Sequence, residues 1–256
     1  MKSLIAFTKK EWMHHLRSKK IMIFAILFIA VGAMNTAFAK LTPALLDMLS
    51  ESLEESGMNL VITEITALDS WVQFYKNIPM VLIAFIVIES NIFTKEYSSG
   101  TLILSLTKGL ERFKVVVSKT LMLVVLWTVG YWLCFATTYG CNMIFWDNSI
   151  AQNLIFSGVC WWLFGIWTIS LMVIFSVIFS SNIGVMGLTG GVAFFCYLVS
   201  LLPKINKFSP AFLASGAQLV YGLEEPKTYI ISIVITVVIT VICLIASLKL
   251  FNKKQL

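Results

Sequence analysis

Charge is scarce in this chain of 256 residues: 12% of its positions are Asp, Glu, Lys or Arg, where a water-soluble domain carries about 25%. So few polar groups cannot coat a globule, which excludes an ordinary soluble enzyme. Disorder is excluded as well. It requires low hydrophobicity, and 59% of these residues are hydrophobic. The pattern G-x-x-x-x-G-K-[ST] is absent, so the chain has no phosphate loop of that kind with which to bind ATP. No HExxH motif and no clustered His or Asp suggests a membrane-embedded enzyme or a metal centre. Histidine occurs twice, at His14 and His15, inside a basic segment where a solvated surface role is expected. The five cysteines (Cys134, Cys141, Cys160, Cys196 and Cys243) are odd in number, unclustered and set in or beside apolar runs. They read as small apolar packing residues rather than as a disulfide framework.

What the chain does have is six long apolar stretches, at 21–39, 77–94, 120–140, 154–179, 183–202 and 229–248. Each is about 18 to 26 residues, or roughly 27 to 39 Å as a helix, enough to cross a hydrocarbon layer of about 30 Å. Backbone in lipid must satisfy its own hydrogen bonds, so the spans are expected to be helices. The expected fold class is therefore all-α: a polytopic integral membrane protein with six transmembrane helices in a single transmembrane domain, 1–256. The first span lies behind about twenty polar and basic residues, unlike a cleaved signal peptide.

The net charge of +6 would suggest nucleic acid on a soluble chain. Here the positions of the charges carry more information, and no nucleic-acid partner is expected. Lys2, Lys9, Lys10, Arg17, Lys19 and Lys20 precede the first span. Lys95, Lys108, Arg112, Lys114 and Lys119 join the second to the third, and Lys249, Lys253 and Lys254 follow the sixth. The opposite side keeps only Lys40, Lys76, Lys204, Lys207 and Lys227, together with most of the acids. The positive-inside rule then puts both termini in the cytoplasm, across a plasma membrane.

The connections add detail. Residues 1–20 read as an amphipathic helix on the cytoplasmic membrane surface, with Leu4, Ile5, Thr8, Trp12 and Leu16 forming its apolar stripe. Thr42 and Pro43 read as the start of a further helix in the long outer loop, with a break at Gly57 and a second short helix from Met58 to Leu68. Ser209 and Pro210 start another, the apolar run Ala211 to Gly222, which is too short to cross and is expected to dip into the outer leaflet. Ser180, Ser181 and Asn182 leave room only for a tight hairpin. Between spans two and three, Ser98 or Ser99 can cap a short helix near Gly100, and Gly109 can end it. Such a helix can press into a groove of a soluble partner, and an ordinary loop is the equal alternative. Glu89 interrupts a span close to its inner end, where Lys20, Arg112 or Lys119 could neutralise it. An ion pair or a gate is the expected role. Trp71 and Trp146 suit interfacial anchoring. Trp127, Trp132, Trp161, Trp162 and Trp167 lie within spans and are expected to face lipid.

With these residues the chain resembles the membrane (permease) subunits of ABC transporters of the type-2 export class. The topology matches throughout, with an interfacial helix before span one and an outer re-entrant helix before span six. The residue pattern matches at Glu96, Gly100, Thr101, Leu102, Leu104, Leu106, Arg112 and Lys119, and departs from the family at Lys108, Gly109 and Ser118. The resemblance implies that Glu96, Gly100, Thr101, Leu102, Ile103, Leu104, Leu106 and Arg112 belong to a cytoplasmic coupling helix seated on a separate ABC ATPase. ATP and Mg²⁺ would sit on that partner, present in two copies, with no cofactor and no enzymatic activity on this chain. It also implies a second permease copy. Gly184, Gly187 and Gly191 in span five are then a possible dimer contact, with packing against span four as the rival use. The near absence of midplane charge suits an amphipathic or hydrophobic cargo: a peptide toxin, an antimicrobial or a lipid-like molecule. The alternative is a non-transporting immunity or scaffold subunit that binds a membrane-active peptide.

Overall fold

The computed structural model describes residues 2–54, 64–107 and 109–254. Among these described residues ten α-helices follow one another: α1 (Lys2–Arg17), α2 (Lys20–Glu54), α3 (Ala67–Glu89), α4 (Asn91–Ser98), α5 (Thr101–Thr107), α6 (Arg112–Phe145), α7 (Leu154–Ile178), α8 (Asn182–Ser200), α9 (Gly216–Val220) and α10 (Pro226–Lys253). Short 3₁₀ turns lie at Asn148–Ile150, Asn206–Phe208 and Pro210–Ala214. Among the described residues there is no β-strand. Six segments among the described residues are long and apolar enough to cross a membrane: Lys20–Leu45, Ala67–Ser98, Arg112–Phe145, Leu154–Ile178, Asn182–Ser200 and Pro226–Lys253.

Several helices outrun their apolar stretches. α2 continues straight through Thr42 and Pro43, where a new helix start was expected. Proline removes one backbone donor and leaves the Ala39 carbonyl without its helical partner. The Thr42 hydroxyl bonds the neighbouring Phe38 carbonyl at 2.8 Å. One lost bond does not stop a helix already in register. α3 begins ten residues before its apolar run because Thr66 and Asp69 form a capping box. The Leu68 amide donates to the Thr66 hydroxyl, and the Thr66 amide donates to Asp69 at 2.8 Å. The expected helix from Met58 to Leu68 therefore ends differently: Glu64–Thr66 are non-helical and Leu68 belongs to α3. Gly57 and the start of that helix lie outside the described residues. The run from Ala211 to Gly222 is likewise not one helix. It is a 3₁₀ turn capped by Ser209, followed by the five-residue α9.

α7 is the most enclosed span, with α6, α8, α10 and the Pro210–Val220 segment packed around it. Its two glycines admit large rings from α6. A Cβ on Gly165 would stand 2.3 Å from the Trp127 ring, and one on Gly158 would stand 2.9 Å from Phe135. The tryptophans expected to face lipid are largely core. Trp127, Trp161 and Trp167 are buried. The Trp127 indole donates to the Trp162 carbonyl, and the Trp161 indole donates to the Ala214 carbonyl. Trp71 is buried too and donates to Asn148 Oδ1 at 3.0 Å. A paired N–H lets the Trp71, Trp127 and Trp161 rings supply core area without an unmet polar group.

α8 stands apart, with Val185 and Thr189 as its buried residues. Gly187, Gly190 and Gly191 have open space where a Cβ would be. Packing against α7 therefore does not account for them.

Candidate functional site

α1, the end of α10 and the segment between α3 and α6 meet at one end of the bundle. Lys114 Nζ donates to Ser3 Oγ, Ser118 donates to Thr8, and Arg112 donates to the Phe251 and Lys254 carbonyls. Lys254 Nζ in turn donates to the Val177 carbonyl. The opposite end gathers Trp71, Asn148, Gln152 and Val220.

The short helix α5 hangs at the first end. Gly100 (φ 66°) and Gly109 (φ 87°) bracket it, both in the left-handed region where glycine alone is unstrained. Ser99 pairs with the Thr101 hydroxyl at 2.9 Å. α4 leads into α5 from α3 with a single residue, Ser90, between them, so α3, α4 and α5 form a nearly continuous arm. Leu102 is 1% exposed and is the foot of α5 in the protein core, whereas Ile103 is 45% exposed and points away. Leu106 is half-buried. Ile103, Leu106, Thr107, Leu110, Glu111 and Arg112 line an open groove of about 400 Å³. Leu104 lies on α5 by its backbone. Arg112, named with Lys20 and Lys119 as a possible neutraliser of Glu89, instead fastens the start of α6 to the end of α10.

α1 packs on α6 with a different face from the one its apolar spacing suggests. Phe7, Glu11 and His15 are buried, and Leu4, Thr8 and Trp12 flank them, while Ile5 and Leu16 are exposed. His15 is thus an interior residue, against the expectation of a solvated surface role. Its neighbour His14 is exposed, and its pKa is lowered, chiefly by partial burial and then by the charge on His15.

These side chains build a buried charge cluster. Glu89 is 0% exposed, and its two oxygens lie 3.0 Å from His15 Nε2 and 3.1 Å from Lys20 Nζ. Lys20 also donates to the Ile88 carbonyl. Lys19, at φ 57°, turns the chain sharply between α1 and α2 and so aims Lys20 at this point. A step away, Lys119 lies 3.2 Å from Glu11 and 3.1 Å from Glu96, and donates to the Ile92 carbonyl. Lys10 closes the ring on Glu96 at 3.3 Å. Three ammonium groups face three carboxylates across α1, α2, α3, α4 and α6. Buried charges persist only when paired in this way. The apolar-run reading singled out Glu89 alone. Glu11 and His15 lie outside the runs and escape that reading, and Lys119, a candidate neutraliser of Glu89, pairs instead with Glu11 and Glu96. The signal that could have found Glu11 and His15 is their spacing: Phe7, Glu11 and His15 recur every fourth residue on one helix face.

A wider groove of about 880 Å³ opens at the other end, lined by residues including Met143, Trp146, Asp147 and Ile155. Asp147 is held below the usual carboxylate range, first by the Ser149 hydroxyl and then by the Ser149 amide.

Compared with known proteins, the chain matches the model of the ABC-2 family transporter protein over residues 5–256. No curated protein and no solved structure matches it.

Proposed function

This chain belongs to the ABC-2 transporter family, and from that premise we propose that it is the membrane-spanning subunit of an ATP-driven exporter. Membership makes it a multi-pass membrane permease, a kind of subunit that works with an ABC ATPase. The finer reading places both termini and α5 in the cytoplasm, because most Lys and Arg collect at that end. Two copies form the path, and two ATPase subunits sit beneath them holding ATP and Mg²⁺. α8 is the contact with the second copy, its open glycines letting another helix approach closely. α1 lies along the inner membrane surface, with Ile5, Met13 and Leu16 in lipid. The cargo is amphipathic or hydrophobic, in keeping with apolar stretches that hold Glu89 as their one charged residue.

The observation that carries this reading is α5: a short helix held between two left-handed glycines, rooted by Leu102, with Ile103 offered outward. The test is copurification with an ABC ATPase. Ile103→Asp together with Leu106→Asp removes that association while membrane insertion persists. Undiminished association removes the coupling role of α5. ATP-dependent movement of labelled cargo into vesicles then separates an exporter from a subunit that only sequesters a peptide.

A further inference from the structure

Both ring nitrogens of His15 face acceptors. Nδ1 lies 3.2 Å from the Glu11 backbone carbonyl oxygen, and Nε2 lies 3.0 Å from Glu89 Oε2. The pair is sealed from solvent, with side-chain exposures of 3% for His15 and 0% for Glu89. A neutral imidazole carries one N–H and one lone pair, and an ionised carboxylate carries no donor. One N–H cannot serve two acceptors. The geometry therefore holds one proton more than neutral histidine and ionised glutamate contain. That proton is on the ring, making an imidazolium, or on Glu89, making an acid that donates to Nε2. The proton count is the same in both.

We infer that His15 and Glu89 form a binding site for a single proton, and that the bound proton fastens α1 to the inner end of α3. The surroundings define what its loss does. Glu89 Oε1 already accepts from Lys20 on α2, and the α1 groups nearby are Lys10, Glu11 and His14. Glu11 in turn pairs with Lys119 on α6, which pairs with Glu96 on α4, and Lys95 on α4 acts on His14. Lys10, Lys20 and Lys119 balance Glu11, Glu89 and Glu96, so the extra proton is the one uncompensated charge of the cluster. Without it, one ring nitrogen presents a lone pair to an oxygen about 3 Å away with no water between them. Buried acceptors that face each other without a proton are costly. With its one N–H on Nδ1, the ring turns a lone pair toward Glu89 and the tie between α1 and α3 opens; with it on Nε2, that bond survives without the imidazolium's charge while the bond to the Glu11 carbonyl is lost, and the tie is weaker. The bound state is thus the low-pH state, and the fastening weakens as pH rises. This inference assumes nothing about cargo or ATP, so it stands or falls apart from the transport reading.

The test uses the full chain in lipid nanodiscs, with amide hydrogen exchange of peptides covering α1 followed from about pH 5 to about pH 9 and corrected for intrinsic rates. Protection of α1 is expected to fall about tenfold across a single transition. Glu89→Gln supplies the discriminating variant. Its amide N–H donates to Nε2 and its oxygen still accepts from Lys20, so the contact needs no extra proton. Protection should then be independent of pH. A flat wild-type profile overturns the inference, and so does a Glu89→Gln chain that keeps the wild-type transition. A second measurement does not depend on that variant folding. Ring ¹⁵N shifts of a His14→Asn chain, together with the carboxylic-acid infrared band, should show an imidazolium or a protonated Glu89 at the acid end. Finding neutral imidazole with ionised Glu89 there overturns it equally.

Discussion

The ammonium of Lys119 lies 3.1 Å from a carboxylate oxygen of Glu96, with the lysine side chain 1% exposed. Lys119 is on α6, and Glu96 is on the arm that leads to α5. The contact therefore joins a spanning helix to the base of the segment proposed to meet the motor. Glu11 on the same ammonium adds α1 to the joint, and the Phe93 ring lies 5.5 Å from the ammonium.

Removing that ammonium strands Glu11 and Glu96 with the half-exposed Lys10 as their one shared cation. Lys119→Met should cost about 3 kcal/mol, the scale of breaking a buried pair by deleting one partner. A second change, Glu11→Gln, should return part of the loss, since one stranded charge is then neutral. Thermal unfolding in detergent reads both, and the double variant should melt above the single one. If Lys119→Met melts with the wild type, the cluster is not closed to water and the argument for it fails.

Adjacent leucine and isoleucine on α5 should behave in opposite ways. Leu102→Asp buries a carboxylate in the core and should lower thermal stability and yield, whatever partner is present. Ile103→Asp changes an exposed position and should leave the melting temperature unchanged, yet weaken ATPase copurification. Parallel losses of stability in both variants would show that Ile103 is also part of the core, and α5 would then have no outward face.

Leu102 and Ile103 also illustrate what the sequence conveys. The six spans are legible because length and apolarity are one-dimensional properties, and α5 is legible because Gly100 and Gly109 punctuate it. Which side of a helix faces inward is not carried by hydropathy when every side is apolar. Hence Leu102 and Leu106 read alike, and Trp127 and Trp161 read as lipid-facing. On α1 the same blindness had a different source. The face that packs on α6 carries Glu11 and His15, whose buried side-chain partners Lys119 and Glu89 lie more than seventy positions away. The Thr66–Asp69 capping box is written in the sequence, but it lies ten residues outside the apolar run, whose edge marks the span and not the start of the helix.

At the opposite end of the bundle, Asp147 accepts from both the hydroxyl and the amide of Ser149, and these bonds depress its pKa. Ser149→Ala removes the larger of the two causes, so the Asp147 carboxyl should titrate closer to its ordinary value, while still depressed by the remaining amide. A group with a lowered pKa stabilises the fold above its unfolded value and loses that contribution as pH falls through the folded value. The wild-type turn at Asn148–Ile150 should therefore persist to lower pH than that of Ser149→Ala, as read by the side-chain ¹³C shift of Asp147. Coincident titrations would show that the Ser149 hydroxyl does not bind the carboxylate in solution.

Two glycines separate the packing of one chain from the pairing of two. Ala at Gly165 places a methyl against Trp127, whose ring is fixed by its bond to the Trp162 carbonyl and by its packing with Phe28, Phe85 and Tyr131. The ring has no free side to move into, so overpacking should cost about 1–3 kcal/mol and lower the melting temperature. At Gly187 the space is open, and even Gly187→Leu should leave the stability of the single chain within about 0.5 kcal/mol. What it should change is association, because a bulky side chain holds a second helix away from α8. Single-molecule photobleaching in vesicles counts the copies: wild type in pairs, Gly187→Leu increasingly as single chains, and Gly165→Ala still paired wherever it folds. Pairs that survive Gly187→Leu unchanged would move the contact to another helix.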